Sequence, residues 1–187
     1  MSLPSVELSS THYFPDASFV QIEPYLTEME RDAMQMCFDL SEAALESGNP
    51  PVGAVLIDNE RGYVQGARTV DKTEPNILGH AEIRAYDMLR PIVGKQLQGC
   101  SLVTTAQPCN TCTAPYAEGN IGRIVYAAPR WAINQVCGLM RPRAINMHDL
   151  LVDGDTDTVV IAGYNSKRSL GNFAMWGALL KEGKVSI

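Results

Sequence analysis

Two short motifs, His80-Ala81-Glu82 and Pro108-Cys109-Asn110-Thr111-Cys112, constrain this chain more than any other feature. A helix is predicted from near Gly79 to Arg90, where Pro91 follows. Ser101 to Thr105 reads as a strand, and Pro108 opens a further helix that ends at Gly119. One strand between two helices places both helix N-termini on the same edge of a sheet. Cys109 and Cys112 are three apart and share a helix face. The helix N-terminus favours thiolate over thiol, because its free N–H groups and dipole stabilise negative charge. His80 can add a third ligand. Three protein ligands leave the fourth tetrahedral position open, which marks a catalytic zinc rather than a closed structural one. Glu82 lies two residues past His80, so it need not point at the metal when the histidine does. It can stand beside the open position and take a proton from a metal-activated water. A lone Cys-x-x-Cys would equally suit a structural zinc half-site or a redox pair; the two motifs together are the specific signal.

The rest of the chain supplies a frame for this pair. Residues 1–25 hold Pro4, Pro15 and Pro24 without a clean period, and read as an N-terminal arm before a single domain over 26–187. Leu26, Met29, Ala33, Met36, Cys37, Leu40 and Ala44 recur at helical steps and predict a helix over 26–46, with the methionines in its core face. Val52 to Ile57 is a continuous apolar run, Asp58 to Gly62 a turn, and Tyr63 to Arg68 the returning strand of a hairpin. Residues 69–79 read as a polar loop, Arg123 to Ala127 and Thr158 to Ala162 as strands, 128–148 as irregular, and Leu170 to Leu180 as a last helix. The order argues α/β, with helices packed on a mixed sheet.

His-x-Glu followed by Pro-Cys-x-x-Cys is the signature of zinc nucleobase deaminases. The chain resembles the cytidine deaminase-like superfamily, in its branch of tRNA adenosine deaminases, guanine deaminases and fungal cytosine deaminases. The likeness spans roughly residues 30–165. It includes Pro51-Val52-Gly53-Ala54-Val55, His80-Ala81-Glu82-Ile83 and Ile121-Gly122-Arg123-Ile124-Val125-Tyr126. It implies a three-layer α/β/α fold with a mixed central sheet of about five strands, a Zn²⁺ ion, hydrolytic deamination and a homodimer packed through the zinc-binding helices. It carries the ligand role onto His80, Cys109 and Cys112, and the proton-shuttle role onto Glu82.

The departures concern the substrate. Relatives have Gly-x-Asn at the end of the second strand, where the Asn touches the base; here the segment reads Gly66-Ala67-Arg68. Gln107 stands where many have Glu, and Ala128-Pro129-Arg130 is followed by Trp131. Arg68, Asn76 and Trp131 are therefore candidate substrate contacts, against solvation for Arg68, helix capping for Asn76 and core packing for Trp131. Segment 128–148 and the last helix, with Phe173 and Trp176, are candidate pocket walls. The aromatic pair suits a core stripe as well. Cys137 can border the pocket, Cys37 and Cys100 read as buried hydrophobes, and His12 and His148 as histidines without a metal role. Asp153, Asp155 and Asp157 imitate a calcium loop that fails at Thr158 and Tyr164.

A small amino-substituted heterocycle, base or nucleoside, is the expected substrate. A tRNA adenosine deaminase is the alternative, and a non-catalytic zinc-folded interaction module a third reading. The net charge of −6 disfavours a polyanion partner, although Arg123, Arg130, Arg141, Arg143, Lys167 and Arg168 could gather into a basic surface. No apolar run reaches the roughly 18 residues of a membrane span, and the first residues lack the pattern of a signal peptide, so a cytoplasmic protein is expected.

Overall fold

The structure, a computed structural model, describes residues 23–74, 76–139, 145–154 and 156–186. Most of the expected N-terminal arm, with His12, Arg141, Arg143 and Asp155, lies outside the described residues.

Helix α1 (Glu28–Glu46) begins at a capping box, in which Thr27 Oγ1 accepts from the Glu30 N–H and a Glu30 carboxylate oxygen accepts from the Thr27 N–H. Ala33, Met34, Cys37, Phe38, Ser41 and Ala44 form its buried face. The expectation for Met36 is corrected here. It is 43% exposed, because the face is centred on Met34, Cys37 and Phe38 and leaves Met36 on its flank. Strands β1 (Gly53–Asp58) and β2 (Tyr63–Arg68) form the expected hairpin. Gly53 is required at its start: a Cβ there would lie 2.1 Å from the Cys37 carbonyl oxygen, so α1 crosses the strand at backbone contact.

Helix α2 (Ala81–Val93) follows, then β3 (Cys100–Ala106), α3 (Asn110–Glu118) and β4 (Arg123–Ala128). Pro91 does not end α2, which runs to Val93 and stops at Gly94, φ 74°. The segment expected to be irregular contains a helix, α4 (Arg130–Cys137), bracketed by Pro129 as its N-cap and by Gly138 in the left-handed region, φ 69°. Helix α5 (Met147–Asp153), also unforeseen, starts on a second capping box between Asn146 and Asp149. Strand β5 (Val159–Ala162) and helix α6 (Ser166–Lys181) complete the described chain.

The five strands lie in the order β2-β1-β3-β4-β5. β1 is antiparallel to both neighbours, while β3, β4 and β5 are parallel. Alternation along the strands divides the core. Ala54, Leu56, Leu102, Ile124 and Tyr126 face α2, α3 and α5; Val55, Ile57, Val103, Val125 and Ile161 face α1. Helix α6 packs on α1 and α4, with the Ser169 hydroxyl donating to Thr105 O at 2.6 Å. The fold is the three-layer α/β/α arrangement with a mixed five-stranded sheet. Its pairing places the start of β1 and the ends of β2, β3, β4 and β5 at one sheet edge, where α2, α3, α4 and α6 are entered.

Candidate metal centre and its cavity

That edge gathers the two motifs. His80 is the N-cap of α2 and Cys109 the N-cap of α3, each with extended backbone (ψ 143° and 169°). Cys112 lies one turn into α3, and its N–H donates to the Cys109 sulfur at 3.4 Å. The His80 Nδ1 atom is 3.2 Å from Cys112 Sγ and 3.5 Å from Cys109 Sγ, and the two sulfurs are 3.4 Å apart. These three atoms form one face of a small tetrahedron, of the order that bonds of about 2.0–2.3 Å to a common ion produce. They are the one such group of ligand atoms among the described residues.

The chemistry of the donors fits zinc. Its hydrogen bond with Cys112, together with His80 and the Cys112 N–H, outweighs burial and holds the Cys109 thiol down at about 3. The same bond, reinforced by burial and by Glu82, pushes Cys112 far up. Two thiols and an imidazole this close together suit a soft divalent cation, whose binding requires the sulfurs as thiolates and so releases protons. His80 is pushed up by its hydrogen bond to Cys109, against the effect of burial.

Glu82, in the first turn of α2, is 4% exposed. Its Oε2 accepts from Cys112 Sγ at 3.4 Å, and its backbone carbonyl accepts from the Tyr116 hydroxyl of α3 at 2.8 Å. Burial, followed by the Cys109 charge, raises its carboxyl above the usual range. Its side chain and the ligands His80 and Cys109 line one cavity of about 500 Å³. The cavity is walled by the segment after β2, by α4 through Arg130, Ile133 and Asn134, and by α6 through Phe173 and Trp176. Such a volume suits a nucleobase or nucleoside.

The three expected substrate contacts are not among the residues that line this cavity. Arg68 Nη1 donates to Ala43 O at 3.0 Å and to the Ser47 hydroxyl, bracing the end of α1. Alternation at the end of β2 turns the next residue, Thr69, into the cavity wall in its place. Asn76 is exposed and its Oδ1 accepts from the Leu78 N–H, while His80 is the residue at the cap of α2. Trp131 is 58% exposed and is not among the residues of α4 that line the cavity. Cys137 is buried and donates to Phe173 O at 3.3 Å. Phe173 and Trp176 serve both expectations, being buried with Ala106 and Cys137 and forming cavity wall. Thr69, Asp71 and Asn134 line the cavity without having stood out in the sequence. The period of two in β2 points to Thr69, and the Pro129–Gly138 bracket to a helix carrying Asn134.

The family model for the cytidine and deoxycytidylate deaminase zinc-binding region matches residues 27–128. A tRNA(Ile)-lysidine synthase of Deinococcus radiodurans is 33% identical over 97 residues, 51% of this chain and 17% of that protein. A tRNA-specific adenosine deaminase of Bacillus subtilis is 30% identical over 103 residues, 54% of this chain and 63% of that one. The chain thus matches less than two thirds of the length of either relative. In fold it is similar to a guanine deaminase from Nitrosomonas europaea, with a TM-score of 0.64 at 20% identity, covering 90% of this chain and all of the other.

Proposed function

The chain belongs to the cytidine and deoxycytidylate deaminase zinc-binding family, and from that premise we propose that it is a hydrolytic deaminase of a small amino-substituted heterocycle. The observation that carries this reading is the buried carboxylate of Glu82 in the same cavity wall as His80 and Cys109. His80, Cys109 and Cys112 would hold the zinc, which when bound supplies Lewis-acid activation of a water molecule. Glu82 accepts one proton of the attacking water and delivers it to the ring nitrogen, then moves the second, from the hydroxyl added to the ring carbon, to the departing amine. Water is consumed, the carbon–nitrogen bond breaks and ammonia leaves. The walls from α4 and α6 hold the ring and exclude bulk water.

A small substrate is favoured over tRNA by the state of the basic residues. The Arg123 guanidinium is tied to the buried Glu30 at 2.6 Å, and that of Arg168 to Glu42 at 2.8 Å. Lys72, in the cavity wall, pairs with Asp71 at 3.2 Å. These charges are matched by acids of the chain itself, which leaves less for phosphates. The tRNA reading keeps the support of the B. subtilis likeness. Homodimer assembly through the zinc-binding helices is supported by Met88 and Ile92, half exposed four residues apart on α2, and is tested by light scattering.

Ammonia release by the zinc-loaded protein across a panel of amino-purines and amino-pyrimidines tests the proposal. Release from at least one ring is expected. Release only from tRNA, with salt-dependent binding, would establish the second reading; zinc in place with no release from any substrate would leave a zinc-folded interaction module. Among the described residues no helix is long and apolar enough to cross a membrane.

A further inference from the structure

Gln107 stands at the end of β3, one residue before the Pro-Cys motif, with its N–H bonded to Ala128 O at 2.8 Å. Its side-chain Oε1 accepts from the Arg130 N–H, the first of α4, at 2.9 Å. A backbone N–H can bond only the oxygen of an amide, so the orientation of this amide is fixed. Its Nε2 is left as a donor and makes no hydrogen bond to a described residue. The Arg130 guanidinium adds a bond to the Gln107 carbonyl at 3.2 Å, holding the segment from both ends. Gln107 lies in the cavity wall with Glu82 and Cys109.

Thr69 lies in the same wall. It is 3% exposed, and its hydroxyl makes no hydrogen bond to a described residue. Its backbone is pinned by donation to Val52 O at 3.0 Å. Polar groups held this firmly in a cavity, without a partner among the described residues, suit a ligand or water.

We infer that Gln107 is the residue that selects the substrate ring, by donating from Nε2 to a ring carbonyl, with the Thr69 hydroxyl as a second contact. The inference rests on the deaminase reading and narrows its substrate to amino-heterocycles that also carry a ring carbonyl. A ring without the carbonyl leaves the fixed donor without its partner, and a site built to hydrogen-bond a substrate group rejects the analogue that lacks it. A carboxylate at position 107 could satisfy Arg130 equally well, but it would offer the ring only acceptors. The amide at this position therefore changes what can be read while leaving the scaffold intact.

The test separates binding from turnover. Zinc-loaded Glu82→Gln protein is titrated calorimetrically with two ring pairs, cytosine against 4-aminopyrimidine and guanine against 2-aminopurine. The carbonyl-bearing member of at least one pair is expected to bind about tenfold more tightly. Adding Gln107→Glu, which keeps an oxygen for the Arg130 N–H, should bring that ratio to about one or invert it. Thr69→Val should weaken binding by a smaller factor that Thr69→Ser restores. Zinc content and circular dichroism verify the fold of each variant, and Gln107→Met serves if the charged variant fails to hold metal. A ratio unchanged by either Gln107 substitution overturns the inference, and so does failure of all four rings to bind. If the rings bind with the expected ratio but the Glu82 protein releases no ammonia from them, the deaminase reading fails and the assignment of Gln107 stands. Ammonia release whose ring preference ignores Gln107 has the reverse meaning: the deaminase reading stands and the assignment of Gln107 fails.

Discussion

The metal corner and the far walls of its cavity are built by different means. His80, Glu82, Cys109 and Cys112 come from two helix starts separated by one strand, and their mutual geometry follows from local spacing. The walls come from the end of β2, from α4 and from α6, segments that span more than a hundred residues of sequence. A spacing motif can specify the first. Only the strand order and the packing of α6 against α4 specify the second. The metal corner is thus written locally in this chain and the cavity wall is written in its topology.

The largest effects belong to the corner. Cys112→Ala removes a ligand that ties α3 to α2, so the purified variant should contain almost no zinc by elemental analysis. It should also melt well below the wild type, since the ion's binding energy contributes to the fold. Glu82→Gln should separate metal from turnover: zinc stays, and ammonia release falls by about 10²–10⁴-fold. A Glu82→Gln enzyme at the wild-type rate would end the proton-shuttle role.

The wall responds in the opposite proportion, in stability and substrate affinity more than in the chemical step. Phe173 is 4% exposed among Cys137, Trp176 and Ala106. Phe173→Ala should cost about 3–5 kcal/mol, lowering the melting temperature by about 2–4 °C per kcal/mol. It should raise KM while leaving zinc content unchanged. Loss of zinc in that variant would show that wall and corner fold as one unit, and the contrast between them would fail.

Legibility in the sequence follows the same division. The hairpin, the parallel strands and both motif-bearing helices can be read because their signals lie within ten residues of each other. The ligand set needs one extra step, that a single intervening strand brings two helix starts to one edge. The α4 helix escapes such a reading although Pro129 and Gly138 bracket it, because its eight residues are too few for a clear period. The expected contact and the residue that lines the cavity differ by one position. The motif favours Arg68 over Thr69, whereas the alternation of β2 and the backbone acceptor at Ala43 decide which of the two faces inward. Arg68→Ala therefore gives a sharp test. If Arg68 only braces α1, KM should stay within about twofold and stability fall by about 1 kcal/mol; a tenfold rise in KM would return Arg68 to the site.

The smallest expected effect lies at the far end of the hairpin, where another local cluster is legible as a turn. Asp58 is 2% exposed, and burial, the largest single influence on it, raises its carboxyl. The Arg61 guanidinium at 2.7 Å and the N–H groups of Arg61 and Glu60 at 3.1 and 3.0 Å together outweigh that influence and hold the carboxyl below its usual value. A carboxyl lowered in the folded state stabilises the fold fully at pH values above its unfolded pKa of about 3.9, and loses that contribution as pH falls through the lower folded value. The melting temperature of the wild type should therefore exceed that of Asp58→Asn by a small margin that is constant from about pH 6 to 8 and narrows below about pH 4. The comparison is made on the difference between the two proteins, both zinc-loaded, in which any shared contribution of the metal corner cancels. A margin that widens on acidification would mean that burial, and not the turn's hydrogen bonds, governs Asp58. Local contacts would then have failed to set the chemistry of a local cluster, in the one place outside the metal corner where they were expected to.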